Sequence, residues 1–70
     1  MKNTLYPEIV SQMIKNNENL QDIANLLSLK NISQVSRRLD GKVDWSISEA
    51  EILCKHYNID FWELFKRKED

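Results

Sequence analysis

The sequence contains very little glycine and proline, and this restricts its fold more than any other feature. Gly41 is the single glycine and Pro7 the single proline among 70 residues. The chain also lacks a run of strand length in which apolar β-branched residues alternate with polar ones. Sheets joined by hairpins normally carry both turn residues and alternating strands. We therefore expect an all-α fold of several short helices joined by tight turns.

Apolar residues at helical spacing predict where these helices lie. Pro7 suits the first turn of a helix, where its missing N–H goes unused. Gly41 suits a position just after a helix, where the backbone turns left-handed. Three pairs have the capping pattern of a helix start: Asn19 with Asp22, Ser46 with Glu49, and Asp60 with Glu63. The predicted helices cover approximately residues 7–16, 20–27, 32–40, 47–57 and 61–65.

Each predicted helix has an apolar face that we expect to point into one shared core. The residues on these faces are Ile9, Val10, Met13, Ile14, Ile23, Ala24, Leu27, Ile32, Val35, Leu39, Ile47, Ala50, Leu53, Cys54, Tyr57, Phe61, Leu64 and Phe65. A chain of this length makes one compact domain, 1–70, whose core stabilises it only marginally. The mixed-charge tail, residues 66–70, follows the last apolar residue, and we expect it to fray.

Several classes of function are disfavoured by what the sequence lacks. The chain has no apolar run of the roughly 20 residues that cross a membrane and no secretory stretch after Met1, so we expect a cytoplasmic protein without a membrane partner. Cys54 and His56 are its only cysteine and histidine, too few for an internal disulfide or a zinc site. Because no nucleophile constellation or phosphate-binding glycine loop occurs, we expect no catalysis, no metal, no cofactor and no small-molecule ligand.

The net charge of the chain is −1, but its basic residues are concentrated in one segment. Residues 30–42 carry four cationic side chains and one acidic side chain, Asp40, which gives +3, so the rest of the chain sums to −4. The four cations are Lys30, Arg37, Arg38 and Lys42. Since binding to nucleic acid depends on local positive potential, this segment is a candidate phosphate-binding surface.

The second and third predicted helices, joined by a tight turn, have the arrangement that places one helix in the major groove of DNA. Because the apolar residues of the third helix face inward, Ser33, Gln34 and Arg37 should point outward. Arginine pairs with guanine, glutamine with adenine, and serine with a base or a phosphate. We predict these three residues as base readers, with Arg37 first. The residues that flank them are predicted phosphate contacts: Lys30, Asn31, Arg38 and Lys42.

Four segments, in this order, resemble a known family of DNA-binding proteins. They are residues 19–29 (NLQDIANLLSL), 35–42 (VSRRLDGK), 44–50 (DWSISEA) and 57–65 (YNIDFWELF). The chain is similar to the phage Cro/CI-type helix-turn-helix family, also called the XRE family, and in detail to its small Cro-like phage and prophage repressors. The resemblance implies a compact five-helix lambda-repressor-like domain with a helix-turn-helix at about residues 20–40. It also implies a homodimer on a pseudo-palindromic operator in double-stranded DNA.

The chain departs from the family pattern in three ways. Leu20 stands where the family usually has a phosphate-contacting glutamine, so that contact is either made by Gln21 or lost. The turn between the second and third helices is one residue longer than the commonest spacing, which changes how the third helix is presented. Trp62 stands where a polar residue is common. An exposed tryptophan often marks an interface, so we predict a dimer contact through Trp62 and Phe65; the alternative is that Trp62 covers the edge of the core.

The sequence therefore predicts a transcriptional regulator that binds specific DNA and represses by occupying its operator. The alternative is a protein of the same fold that binds another protein, such as an antirepressor or inhibitor. The net charge of −1, Leu20 and Trp62 favour that alternative. Binding that weakens steeply with salt would indicate DNA, whereas salt-insensitive binding to a protein would indicate the alternative.

Overall fold

A computed structural model describes residues 4–68, and within that range the chain is all-helical and compact, with a Cα radius of gyration of 10.9 Å. This confirms the predicted all-α class. The helices are α1 (Pro7–Lys15), α2 (Leu20–Leu27), α3 (Ile32–Leu39), α4 (Ile47–Tyr57) and α5 (Phe61–Leu64). Each bound lies within one residue of the predicted one. None of these described helices is long and apolar enough to cross a membrane.

Hydrogen bonds at the helix ends explain these bounds. Reciprocal capping boxes begin two helices, as predicted: Asn19 with Asp22 at α2, and Ser46 with Glu49 at α4. Asp60 instead caps α5 through the backbone N–H of Trp62, at 3.2 Å, without the predicted reciprocal bond from Glu63. Gly41 follows α3 with a φ of +80°, which confirms the left-handed stop. A Cβ at Gly41 would lie 2.6 Å from Cδ2 of Leu5, so the close approach of these two segments also requires glycine.

The core lies where the five helices meet, and each helix contributes at least one side chain that is less than 2% exposed. These side chains are Ile9, Ile23, Ala24, Val35, Leu39, Leu53 and Leu64. Four predicted core residues are exposed instead: Ile14, Ile32, Ile47 and Phe61. The last three are the first residues of α3, α4 and α5. Because helical side chains point toward the helix N-terminus, these three extend past the start of their helix and miss its neighbours.

Backbone hydrogen bonds connect the N-terminal segment with the end of α3 and the C-terminal segment with the N-terminal one. The N–H of Leu5 donates to the carbonyl of Leu39 at 2.8 Å, and the N–H of Lys68 donates to the carbonyl of Leu5 at 2.8 Å. The guanidinium carbon of Arg67 lies 5.8 Å from the centre of the Tyr6 ring. Arg67 and Lys68 therefore lie against the N-terminal segment, and residues 69–70 of the tail that we expect to fray lie outside the described range.

Candidate nucleic-acid interface

Helices α2 and α3 make the most extensive helix–helix contact in the described range. Residues 28–31 join them: Ser28 ends α2 in a left-handed conformation with a φ of +58°, and Asn31 begins α3 in an extended one. Ala24 of α2 and Val35 of α3 are both fully buried, which fixes the inner sides of the two helices. The opposite side of α3 is left facing solvent.

The outer side of α3 carries the three predicted base readers. Ser33 and Arg37 are exposed, and Gln34 is half-buried. The guanidinium of Arg37 makes no ion pair with any residue between 4 and 68. The Ser33 hydroxyl donates to Oδ1 of Asn31 at 2.6 Å, and the same oxygen accepts the backbone N–H of Gln34 at 3.3 Å. The start of α3 is thus held by its own polar side chains, whereas Arg37 extends into solvent.

Arg38 lies on the neighbouring face of α3, and the structure does not leave it open for the predicted phosphate contact. Its Nε donates to Oε1 of Glu49 at 2.9 Å, and its Nη2 donates to Oε2 at 3.3 Å. Each of these side chains is only 13% exposed. Nη1 of Arg38 donates to the backbone carbonyl of Gln34 at 3.0 Å and to its Oε1 at 3.2 Å. Arg38 is therefore an internal partner of α4 and of Gln34.

The carboxylate of Glu49 is held in its charged form by this contact. Burial raises its pKa, but hydrogen bonds from Arg38 and from the backbone of Ser46 outweigh burial and leave the pKa below its ordinary value. Glu49 is consequently ionised at neutral pH and neutralises Arg38. Arg38 adds little to the positive potential of the α3 surface, which comes from Arg37 and the nearby lysines.

The remaining predicted phosphate contacts are exposed beside this surface. The N–H of Lys42 donates to the carbonyl of Arg37 at 2.9 Å, which brings the chain after α3 back to its last turn. Lys30 is exposed just before α3, and neither lysine forms an ion pair within residues 4–68. Gln21 is exposed on α2, where its Nε2 donates to Oδ1 of Asn25 at 3.0 Å. Together with Arg37, the two lysines form what we call the α3 surface.

A second exposed surface lies on α4 and α5, and it is apolar. Trp62 is 80% exposed and Ile47 is 82% exposed. The ring of Phe61, which is also exposed, lies 5.2 Å from the ring of Trp62 between centroids. Ile47 and Phe61 line the same groove along α4, with Ala50 at its base. We call Ile47, Phe61 and Trp62 the apolar patch.

Phe65, the second residue of the predicted dimer contact, packs against aromatic side chains of its own chain. Its ring lies 6.0 Å from the ring of Tyr6, 5.5 Å from that of Trp45 and 5.1 Å from that of Phe61. The physical reason is that α5 ends at Leu64, so Phe65 turns back toward the N-terminal segment. The aromatic neighbour of Trp62 at the surface is Phe61, which the sequence had placed in the core.

The sequence did not reveal a contact that holds the start of α2. Glu18, just before α2, accepts the hydroxyl of Tyr57 at 2.7 Å, and its other oxygen lies 2.6 Å from Nε2 of His56. Burial and the neighbouring carboxylate raise the pKa of Tyr57 far above its ordinary value, so the hydroxyl remains a donor. The partners are 38 and 39 residues apart in the chain, and no local pattern marks them. This contact joins the start of α2 to the end of α4.

Comparisons with protein-family models, with curated proteins and with solved structures found no match for this chain. Within residues 4–68, no three His, Cys, Asp or Glu side chains are grouped so that they could hold a metal ion. Burial raises the pKa of Cys54, and Asp60 adds to this effect, so the reactive thiolate form is disfavoured. The α3 surface and the apolar patch are therefore the two candidate functional surfaces.

Proposed function

We propose that the protein is a helix-turn-helix transcriptional regulator that binds specific double-stranded DNA, with α3 in the major groove. The observation that carries this proposal is the exposed guanidinium of Arg37, which has no ion-pair partner among residues 4–68 and lies beside Lys42. Val35 and Leu39 bury the opposite side of the same helix, so α3 is fixed to the core while its polar side remains available. This is the placement that a recognition helix needs.

Each group on this surface has a chemistry that suits one part of DNA. The fork of Arg37 can donate to N7 and O6 of one guanine. Lys30 and Lys42 suit phosphates on either side of the groove, where they fix orientation without reading sequence. Gln21 and Asn31 are exposed at the starts of α2 and α3 and suit the same phosphate backbone. Such binding at an operator would repress transcription by blocking polymerase.

We further propose that two copies bind together and that the apolar patch lies between them. The protein measures 31 × 24 × 24 Å between Cα atoms. Successive major-groove segments on one side of DNA are about 34–36 Å apart, which is one helical turn. Two copies of this size, side by side, can therefore each place α3 in one of these segments. The patch exposes two large apolar side chains almost completely, and covering them with a second copy would remove this apolar area from water. In this arrangement Trp62 and Phe61 form the contact that the sequence assigned to Trp62 and Phe65.

The experiment that tests DNA binding is selection from a randomised duplex pool, followed by fluorescence anisotropy on the selected sequence at two salt concentrations. We expect binding that is selective and weakens with salt. Arg37→Ala should lose most of the selectivity, whereas Lys55→Ala, which removes an exposed cation of α4, should bind almost as the wild type does. A pool that yields no enriched sequence would contradict the proposal.

The second candidate function is binding to another protein, and the exposure of the apolar patch favours it specifically. An exposed tryptophan beside a second aromatic ring is typical of protein-binding surfaces. In that case the wild type would select no DNA sequence, and binding to the partner would depend on Trp62 and not on Arg37. Comparing the two alanine variants therefore separates the two functions.

A further inference from the structure

Three side chains form a hydrogen-bonded series that runs from α4 to the outer side of α3. Glu49 holds Arg38 through both carboxylate oxygens, and Arg38 in turn donates through Nη1 to Oε1 of Gln34 at 3.2 Å. The same Nη1 donates to the backbone carbonyl of Gln34 at 3.0 Å. Gln34 is one of the residues proposed to face a base. Its side chain is thus held from within the protein before any DNA is bound.

This series fixes which end of the Gln34 amide is bonded to Arg38. Arginine has only donors, so the group that faces Nη1 must be the carbonyl oxygen of the amide. The amide nitrogen, Nε2, makes no hydrogen bond with another residue between 4 and 68. Since pairing with adenine requires both the oxygen and the nitrogen of the amide to face one base edge, holding the oxygen on Arg38 opposes that pairing.

We propose that Arg38 is a positioning residue that turns the amide oxygen of Gln34 away from the base edge and leaves Nε2 to read it, so that Gln34 selects guanine over adenine. This inference rests on the proposed function. Guanine presents two acceptors in the major groove, N7 and O6, and both can accept from Nε2 of Gln34. Adenine presents N7 beside the N6 amino group, which is itself a donor and would oppose Nε2. The preference is the reverse of the adenine contact that the residue type alone suggests.

The anchoring of Arg38 is firm enough for this role. Two charge-assisted bonds join it to Glu49, and both side chains are nearly buried. Glu49 is itself fixed by its capping box with Ser46 at the start of α4. Because Glu49 keeps Arg38 in place, Nη1 stays beside Gln34, and turning the amide oxygen toward a base would cost Gln34 its hydrogen bond with Arg38. Gln34 therefore meets DNA in the orientation that Arg38 sets.

The test is base selection from a randomised duplex pool by four proteins: the wild type, Gln34→Ala, Lys42→Met and the double variant Arg38→Met with Glu49→Gln. The Gln34→Ala protein identifies the base pair that Gln34 reads, because the preference there is lost. The double variant removes both charges together, and glutamine at position 49 preserves the capping box. Lys42→Met is the matched control, since it also removes a cation from this region but leaves Gln34 and Arg38 bonded.

At the base pair that Gln34 reads, we expect the wild type to prefer guanine over adenine by roughly five- to a hundredfold. The double variant should lose this preference or reverse it to adenine. Lys42→Met should bind more weakly with the guanine preference intact. If the wild type prefers adenine there, or if the double variant keeps the full guanine preference, the inference is wrong although DNA binding stands. A wild type that selects no sequence would overturn the proposed function and the inference together.

A second measurement uses the wild-type protein alone and applies even if the double variant does not fold. Operators are made with guanine, hypoxanthine, 7-deazaguanine or adenine at the position that Gln34 reads. Hypoxanthine keeps both N7 and O6 and should bind as guanine does, whereas 7-deazaguanine and adenine should each bind more weakly. Equal binding of guanine and adenine would overturn the inference.

Discussion

The α3 surface and the apolar patch are both exposed, but their surroundings hold them in different ways. Beside the α3 surface, polar side chains are bonded within the protomer: Asn31 caps α3, and Gln34 is held by Arg38. In the patch, Ile47 and Trp62 are exposed over most of their area, and contact between such area and water is unfavourable by roughly 25 cal/mol for each Å². The polar side chains beside the α3 surface are thus already held in place, whereas the patch would be stabilised if another surface covered it.

The largest expected effect is on the free energy of unfolding, and it tests whether the apolar patch contributes to the core. Leu53 is fully buried in α4, whereas Ile47 in the same helix is 82% exposed. Leu53→Ala should lower the free energy of unfolding by about 2–5 kcal/mol because it leaves a cavity, whereas Ile47→Ala should change it by less than about 0.5 kcal/mol. Urea denaturation at low protein concentration measures both. Similar losses in the two variants would mean that Ile47 is covered in solution.

The next effect concerns assembly through the patch. Trp62→Ala should weaken dimerisation by about 2 kcal/mol, or roughly thirtyfold in the dissociation constant, because exposed aromatic residues dominate interfaces. Ile14→Ala is the matched control, since Ile14 is also an exposed apolar residue but lies on α1. Sedimentation equilibrium measures the monomer–dimer equilibrium. An unchanged equilibrium in Trp62→Ala would exclude the patch as the dimer contact.

A smaller effect tests whether a lysine of the α3 surface binds phosphate, in contrast to a lysine elsewhere on the protein. Lys42→Ala should reduce the slope of log K against log salt concentration by about one and weaken binding to all sequences equally. Lys15→Ala, which removes an exposed cation at the end of α1, should leave the slope unchanged. Anisotropy titrations across a series of salt concentrations provide both slopes. Equal slopes in the two variants would place Lys42 outside the interface.

The smallest effect is the dependence of stability on pH through Glu49. Its pKa is lower in the folded protein than its ordinary value of 4.5, so ionised Glu49 stabilises the fold above that pH, and the stabilisation is lost as pH falls through the folded pKa. The difference in unfolding free energy between the wild type and Glu49→Gln should be largest at neutral pH and shrink below about pH 4.5. Urea denaturation at several pH values measures this. A difference that grows in acid would contradict the lowered pKa.

The helices themselves could be predicted from the sequence because their determinants are local. Asn19 with Asp22 and Ser46 with Glu49 lie within one turn of each other, and each pair forms the predicted capping box. Gly41 likewise marks the end of α3 through its own backbone conformation. Exposure at helix starts could not be predicted in this way. The apolar pattern assigns Ile47 to a face of α4 but does not show that this first residue of the helix is exposed in the fold.

The site could be predicted only in part, because its decisive contacts join distant segments. The exposure of Arg37 follows from the helical spacing of α3. The different environment of Arg38 does not, because it depends on Glu49, which is 11 residues away and already has a local role as a capping residue. The contact between Glu18 and Tyr57 likewise joins two helix ends that come together only in the folded chain. Adjacent residues of one type therefore acquire different environments through tertiary contacts.

The hydrogen bonds of Leu5 have a consequence for local unfolding. Leu5 donates to the carbonyl of Leu39 at the end of α3 and accepts from Lys68, so Leu5 links the segments near both ends of the described chain to α3. Separation of the N-terminal segment would remove the Leu5 bond from the last turn of α3, where Arg37 lies, and separation of the C-terminal segment would remove a bond that holds Leu5. We therefore expect the two segments and α3 to protect one another from amide hydrogen exchange, so that a disturbance at residue 68 reaches the α3 surface although the two are far apart in sequence.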